Sequence, residues 1–210
     1  MMEQTSDFDQ NLFDIMQTIA SAGIHNAAVG FSSLLGHSLS VSQPSVKIIP
    51  LLDIPKIVGG LENEAIGIYL RAEGDMSAQI MLIIPYQSAL ELVDLLLGVE
   101  PGCTTQLGQM ERSALAEVGN MTGTFFLNAI AAATGTSIRP SPPAVMVDMI
   151  GAILDIIIAT SGGISDQVML LEARFYDGDR AVETSFWVIP DGTTIKAFGT
   201  PKASSDKDDR

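Results

Sequence analysis

Residues 109–123 read QMERSALAEVGNMTG. Within this stretch Ser113, Glu117 and Asn120 are spaced i, i+4 and i+7, and a helix places residues at this spacing on one face. The opposite face carries mostly apolar side chains, namely Leu115, Val118, Thr122, Phe125 and Ala129. The spacing therefore predicts a helix that buries this apolar face and presents the polar stripe (Ser113, Glu117 and Asn120) to solvent or to a partner.

The same scaffold of residues occurs 99 positions earlier in the chain. The three positions of the polar stripe correspond there to Asp14, Thr18 and Ser21. The register continues through Ile19 with Val118, Gly36 with Gly135, Ser42 with Ser141, Pro44 with Pro143 and Val46 with Val145. A constant offset held over this length predicts an internal duplication. An ordinary solvated helix face is the alternative explanation of the stripe taken alone.

The composition predicts a well-buried globular protein, because 47% of the 210 residues are hydrophobic and only 17% are charged. The net charge of −14 disfavours nucleic acids and anionic membrane surfaces as partners, and it favours a partner with basic groups. The single cysteine, Cys103, excludes a disulfide within the chain, and residues 1–9 lack the features of a signal peptide. We therefore expect a cytoplasmic protein without membrane insertion. His25 and His37 have no neighbours at metal-ligand spacing, so we expect no metal site.

Hydrophobic periodicity predicts the order of the helices and strands. It predicts helices over 9–35, 86–98, 109–133 and 149–159, and strands over 44–50, 65–72, 78–85, 144–147, 167–176 and 181–189. Residues 51–58 fit a short helix or a loop. Two Gly-Asp turns, Gly74-Asp75 and Gly178-Asp179, predict equivalent hairpins.

These elements predict an α/β (α+β) fold with a mostly antiparallel sheet and two long equivalent helices on one side. The repeat adds an approximate twofold symmetry. We predict a single domain over 1–200, built from repeats at about 10–98 and 109–200. Residues 201–210, which are polar and charged, are predicted to be a disordered tail.

The spaced residues Ser113-x3-Glu117-x2-Asn120-x22-Pro143 resemble the signature of the CheC/CheX/FliY family. This family consists of phosphatases that act on the chemotaxis response regulator CheY. Residues 117–123 (EVGNMTG), 145–149 (VMVDM), 26–28 (NAA) and 46–50 (VKIIP) are also similar to the family. The resemblance extends over about residues 10–200 and is greatest to the CheC type.

The resemblance implies an enzyme that accelerates hydrolysis of the phosphoaspartate of CheY. Asn120 is then expected to position the attacking water and Glu117 to dock the active-site lysine of the regulator, with Ser113 and Pro143 in supporting places. A neutral carboxamide suits this task, because it offers a donor and an acceptor without repelling a phosphoryl group. The first repeat keeps Asp14 and Pro44 but has Thr18 and Ser21 in place of Glu and Asn, so one active site is expected.

By the same resemblance the protein needs no cofactor of its own, because the response regulator carries the Mg²⁺. The expected partners are phosphorylated CheY and CheD, a receptor-modifying deamidase. The degenerate first repeat motivates the alternative of a non-catalytic adaptor that binds CheD. An interaction protein similar to the flagellar switch is a further alternative with the same fold.

Overall fold

A computed structural model describes residues 10–36, 38, 40–57, 60–160, 167–178 and 180–190. In these ranges the chain combines α-helices with one eight-stranded sheet. The helices are α1 (Gln10–Leu35), α2 (Ile54–Ile57), α3 (Tyr86–Leu97), α4 (Gln109–Thr134) and α5 (Ile150–Thr160). The strands are β1 (Ser40–Val41), β2 (Ser45–Pro50), β3 (Glu64–Gly74), β4 (Ala78–Pro85), β5 (Ile138–Pro140), β6 (Ala144–Met149), β7 (Gln167–Asp177) and β8 (Arg180–Pro190).

The observed elements confirm the predicted mixed fold and most of the predicted boundaries. The strand predicted over 144–147 continues to Met149, and the helix predicted to follow it begins one residue later, at Ile150. The strands β1 and β5 have no prediction, because two or three residues are too few to show a hydrophobic period. The predicted tail 201–210 lies outside the described residues, and the division into one domain of two repeats stays a prediction.

The sheet is formed by two hairpins that lie side by side and exchange strands. β3 and β4 form one hairpin, β7 and β8 form the other, and β4 pairs with β8 between them. Each hairpin takes its outer neighbour from the other half of the chain, because β2 pairs with β7 and β6 pairs with β3. All these pairings are antiparallel. The order of the strands is symmetric about the β4–β8 pair, because β7 with β2 on one side corresponds to β3 with β6 on the other.

The two faces of the sheet are covered unequally. The larger core lies on the face covered by α1, α3 and α4, and Ile66, Ile68 and Leu70 of β3 are fully buried in it. A smaller core lies on the other face, where Ile54 of α2 and Ile153 of α5 are buried. Both long helices therefore lie on one side of the sheet, as predicted, and their packing decides how the polar stripe is presented.

Each long helix ends at the glycine that the sequence predicts. Gly36 after α1 and Gly135 after α4 have φ angles of 74° and 69°, in the left-handed region that glycine adopts without a steric penalty. The backbone N–H of each glycine donates to a carbonyl four residues earlier, Ser32 O at 3.0 Å and Ala131 O at 2.8 Å. These bonds supply donors to carbonyl groups that would otherwise have no hydrogen-bond partner at the end of the helix.

A buried carboxylate fixes the connection between α3 and α4. Asp94 is 1% exposed, and its two oxygens accept hydrogen bonds from the backbone N–H groups of Gly102 at 2.6 Å and Thr104 at 2.7 Å. These bonds hold the connection against the end of α3. Because α4 begins only five residues after Thr104, at Gln109, the Asp94 carboxylate also fixes where α4 begins.

We predict that Asp94→Asn destabilises the protein by about 1–3 kcal/mol, because an amide offers one oxygen in place of two, so that one of the two backbone N–H groups loses its charged acceptor. The free energy of unfolding in urea measures this effect. The control is Glu100→Gln, which removes a carboxylate from an exposed position in the same connection. Equal stability of the two variants would contradict the assigned role of Asp94.

Candidate functional site

The polar stripe lies on the surface of α4. Ser113 and Glu117 are exposed and Asn120 is half-buried. The Ser113 hydroxyl donates to the backbone carbonyl of Gln109 at 2.9 Å, so it is bound to its own helix. Within the described part of the chain, the side chains of Glu117 and Asn120 have no hydrogen-bond or ion-pair partner. Their polar groups are therefore available to another molecule.

The opposite face of α4 enters the larger core. Leu115, Val118 and Thr122 are buried as the sequence predicts, whereas Phe125 and Ala129 lie partly buried at the edge of the core. Three further large apolar side chains of α4 that were not predicted to lie on this face are also buried, namely Phe126, Leu127 and Ile130. The buried face is therefore wider than predicted.

Two glycines bring α4 close to the sheet. A Cβ atom at Gly119 would lie closer than 3.0 Å to Cγ2 of Ile68, and one at Gly123 would lie 3.1 Å from Cδ2 of Leu70. Both are buried and lie one helical turn apart, facing β3. The sequence pattern does not single out Gly119, although it lies between Glu117 and Asn120. Its role becomes visible only when the neighbouring strand is known.

Pro143 lies beside α4 at the level of the polar stripe. It is half-buried and directly precedes β6. A Cβ atom at Gly119 would lie 3.7 Å from Cβ of Pro143. The fold thus brings the last residue of the spaced motif against the helix that carries Glu117 and Asn120.

The other long helix, α1, packs against α4 in the antiparallel direction. A Cβ atom at Gly23 would lie 3.0 Å from Cα of Phe126, and one at Gly30 would lie 2.5 Å from Cε2 of Phe125 and 2.7 Å from Cε of Met121. Glycine therefore permits close contact with α1 as well as with the sheet. With α4 held on two sides, the direction in which the stripe points is fixed by the core.

Two of the corresponding side chains of the first half, those of Thr18 and Ser21, bond within their own helix. Asp14 and Thr18 are exposed and Ser21 is half-buried. The Thr18 hydroxyl donates to the Asp14 carbonyl at 3.0 Å, and the Ser21 hydroxyl donates to the Gln17 carbonyl at 2.8 Å. This region offers no carboxamide at the position that corresponds to Asn120.

Two glutamines occupy the surroundings of the first-half positions. Nε2 of Gln17 donates to the carbonyl of the buried Pro44 at 2.9 Å, and Nε2 of Gln43 donates to the Ser21 hydroxyl at 3.4 Å. With the offset of 99, the second half has Ala116 and Pro142 in these places. Neither side chain can form such bonds. Glu117 and Asn120 of α4 thus lack the side-chain bonds that Thr18 and Ser21 form in the first half.

The described residues contain no group of three or more His, Cys, Asp or Glu side chains that could hold a metal ion. Cys103 is a free, exposed thiol in the connection between α3 and α4. None of the helices in the described ranges is both long enough and apolar enough to cross a membrane.

Residues 110–147 match the model of the CheC-like family. This match supports the assignment of the chain to that family. The matched range includes Glu117, Asn120 and Pro143. The chain is also 25% identical over 182 residues to a protein of Bacillus subtilis (strain 168), the CheY-P phosphatase CheC. That likeness covers 85% of this chain and 87% of the relative.

Several solved structures share the fold. FliY from Thermotoga maritima has a TM-score of 0.72 at 17% identity and covers 91% of this chain and 96% of its own. CheX from Desulfovibrio desulfuricans has a TM-score of 0.52 at 16% identity, with 83% and 99% covered. The FliM middle domain from H. pylori has a TM-score of 0.64 at 10% identity, with 91% and 98% covered. At these identities the likenesses establish the fold alone.

We predict that Asn120→Ala does not destabilise the protein. The Asn120 side chain has no partner in the described residues, and alanine favours a helix by about 0.5 kcal/mol relative to asparagine. Urea unfolding should therefore give equal or slightly higher stability. Leu115→Ala is the control, because Leu115 is fully buried and its truncation should cost about 2–5 kcal/mol. A large loss of stability in Asn120→Ala would mean that the amide has a structural role.

Proposed function

We propose that this chain is a phosphatase that accelerates hydrolysis of the phosphoaspartate of the response regulator CheY. The main support is the presence, in the region that matches the CheC-like family, of an exposed carboxylate and a half-buried carboxamide one turn apart on a rigid helix. Neither group has a partner in the described residues. The likeness to the Bacillus subtilis protein named CheY-P phosphatase CheC adds the substrate class.

Asn120 has the role of orienting the attacking water. A phosphoaspartate is an acyl phosphate and is already reactive, so a helper protein contributes mainly by placing a water in line with the leaving oxygen. A carboxamide can accept a hydrogen bond from that water and donate one to a phosphoryl oxygen. It carries no charge, so it can approach the phosphoryl group more readily than a carboxylate can.

Glu117 has the role of docking the regulator. Its negative charge would be repelled by the phosphoryl group, so its partner is the lysine in the active site of the regulator. Since Glu117 and Asn120 are three residues apart on one helix face, an ion pair at Glu117 brings Asn120 to the phosphoryl group. The Mg²⁺ of the reaction belongs to the regulator, and this chain supplies no ligand to it.

The second half alone carries the activity in this proposal. The first half has hydroxyl groups at the corresponding positions, and these are bonded to the backbone of α1 or to Gln43. Ser113 and Pro143 have supporting places: Ser113 is bound to its own helix, and Pro143 packs beside Gly119.

A non-catalytic adaptor that binds CheD is the alternative function. The internal bonding of the first-half positions favours it, because that half of the molecule presents no catalytic amide. An interaction protein similar to the flagellar switch has weaker support, since the FliM structures share the fold at 9–11% identity. Phosphatase activity separates these alternatives from the proposed function.

The decay of phosphorylated CheY tests the role of Asn120. We expect the unsubstituted protein to accelerate this decay and Asn120→Ala to reduce the acceleration on the order of 100-fold, because the water loses its positioning group. Asn128→Ala is the matched control, since Asn128 is an exposed asparagine of the same helix. Acceleration that survives in Asn120→Ala would contradict the role of the amide. No acceleration by the unsubstituted protein, with or without CheD, would indicate the adaptor.

The dependence of the rate on CheY concentration tests the role of Glu117. We expect Glu117→Gln to raise KM a few-fold with a smaller effect on kcat, because an exposed ion pair contributes up to about 1 kcal/mol. The effect should shrink at high salt, where the pair is screened. Asp155→Asn removes an exposed carboxylate from α5, on the other face of the sheet, and serves as the control. An unchanged KM in Glu117→Gln would contradict the docking role.

A further inference from the structure

Gly119 connects the proposed catalytic residues to the sheet. It lies between Glu117 and Asn120 in α4 but faces the opposite way, toward Ile68 of β3. We propose that Gly119 and Ile68 are positioning residues, whose contact sets the height of α4 above the sheet and so the place of Asn120. This inference rests on the proposed function, and it adds two residues that touch neither substrate nor water.

The contact leaves no room for a side chain at position 119. A Cβ atom there would lie closer than 3.0 Å to Cγ2 of Ile68, a separation that real Cβ atoms essentially never show. Cγ2 is attached directly to the branched Cβ of Ile68, and such side chains are restricted at χ1. Ile68 is also fully buried, so its methyl group cannot turn away into solvent. The clash would have to be relieved by movement of the backbone.

The strand is held more firmly than the helix at this point. Ile68 lies opposite Leu82 of β4 and opposite Val145 of β6, so β3 has a paired strand on each side. Moving Ile68 would disturb both ladders of hydrogen bonds. A clash at Gly119 is therefore relieved by moving α4 away from the sheet.

Such a movement acts directly on the polar stripe. Separations of 3.4 Å or more are ordinary van der Waals contacts, so α4 has to move on the order of 1 Å at this level. Asn120 is the next residue in the helix and Glu117 is two residues before Gly119. A misplacement of about 1 Å can cost on the order of 100-fold in rate when a reaction depends on positioning.

Gly123 supplies a matched comparison one turn further along α4. A Cβ atom there would lie 3.1 Å from Cδ2 of Leu70, which is the far end of a flexible side chain. At this separation the terminal methyl group of Leu70 has to move by only a few tenths of an ångström, so the added methyl group requires a much smaller adjustment than at Gly119. Both substitutions, Gly119→Ala and Gly123→Ala, increase helix propensity, so a difference between them reports on the contact with the sheet.

Ile68 allows the clash to be removed without emptying the core. Ile68→Leu keeps the volume of the side chain but has a single carbon at the γ position, so the Cγ2 position becomes free. Ile68→Val is the opposite control, because valine keeps both γ carbons and loses only the terminal methyl group. Leucine should therefore compensate for Gly119→Ala and valine should not.

The test measures kcat and KM for the decay of phosphorylated CheY in these variants. We expect Gly119→Ala to lower kcat on the order of 100-fold, with unfolding as cooperative as before, and Gly123→Ala to keep the unsubstituted rate. The pair Gly119→Ala/Ile68→Leu should regain most of kcat, and Gly119→Ala/Ile68→Val should not. If Gly119→Ala alone does not fold, the double variant Gly119→Ala/Ile68→Leu provides the test, because a low kcat in that variant, once it is shown to be folded, would overturn the inference. An unchanged kcat in folded Gly119→Ala would also overturn it.

A second measurement separates this inference from the proposed function. The side-chain amide resonances of Asn120 in a ¹H–¹⁵N NMR spectrum report on its place whether or not the protein is active. We expect Gly119→Ala to shift these amide resonances. Adding Ile68→Leu should return them toward their original positions, whereas adding Ile68→Val should leave them shifted. Unmoved resonances would overturn the positioning role. The expected shifts without any phosphatase activity in the unsubstituted protein would overturn the proposed function and leave the mechanical role of Gly119 supported.

Discussion

The packing of α4 onto β3 at Gly119 and Ile68 is the constraint on which the proposed site depends. Glu117 and Asn120 have no partners among the described residues, so nothing on the surface holds them in place. Their position comes from the opposite face of the helix, which is fixed by the sheet and by α1. A functional group is positioned most accurately when it is carried by a rigid element with a well-packed supporting side. In this fold the hydrophobic core supplies that support.

The sequence predicts the elements well because each depends on local patterns. The alternation of apolar residues predicts the strands, and Gly36 and Gly135 predict the ends of the two long helices. The contact between Gly119 and Ile68 could not be predicted, because it depends on the register of β3 under α4, and no local pattern carries that register. The exchange of β2 and β6 between the hairpins escapes prediction for the same reason. Glu117 and Asn120 could be singled out because their spacing is contained within one helix.

The two halves differ in more than the loss of one glutamate and one asparagine. In the first half, Gln17 ties α1 to the segment that contains Pro44, and Gln43 bonds to Ser21. The second half has Ala116 and Pro142 at the corresponding positions, and its polar stripe is left without such bonds. A side chain that bonds to its own protein is less available to a partner. The structural difference therefore favours a single working surface on α4.

The exchange of strands makes the sheet dependent on residues that are far apart in the chain. Lys47 of β2 forms an ion pair with Glu172 of β7, which is 125 residues later. At roughly 5–20 residues per second, a ribosome needs about 6–25 seconds to synthesise the residues between them. During this time β2 lacks its partner strand β7, and unpaired strands are prone to associate with other chains. Pairing of β2 with β7 therefore has to wait until the second half of the chain has been synthesised.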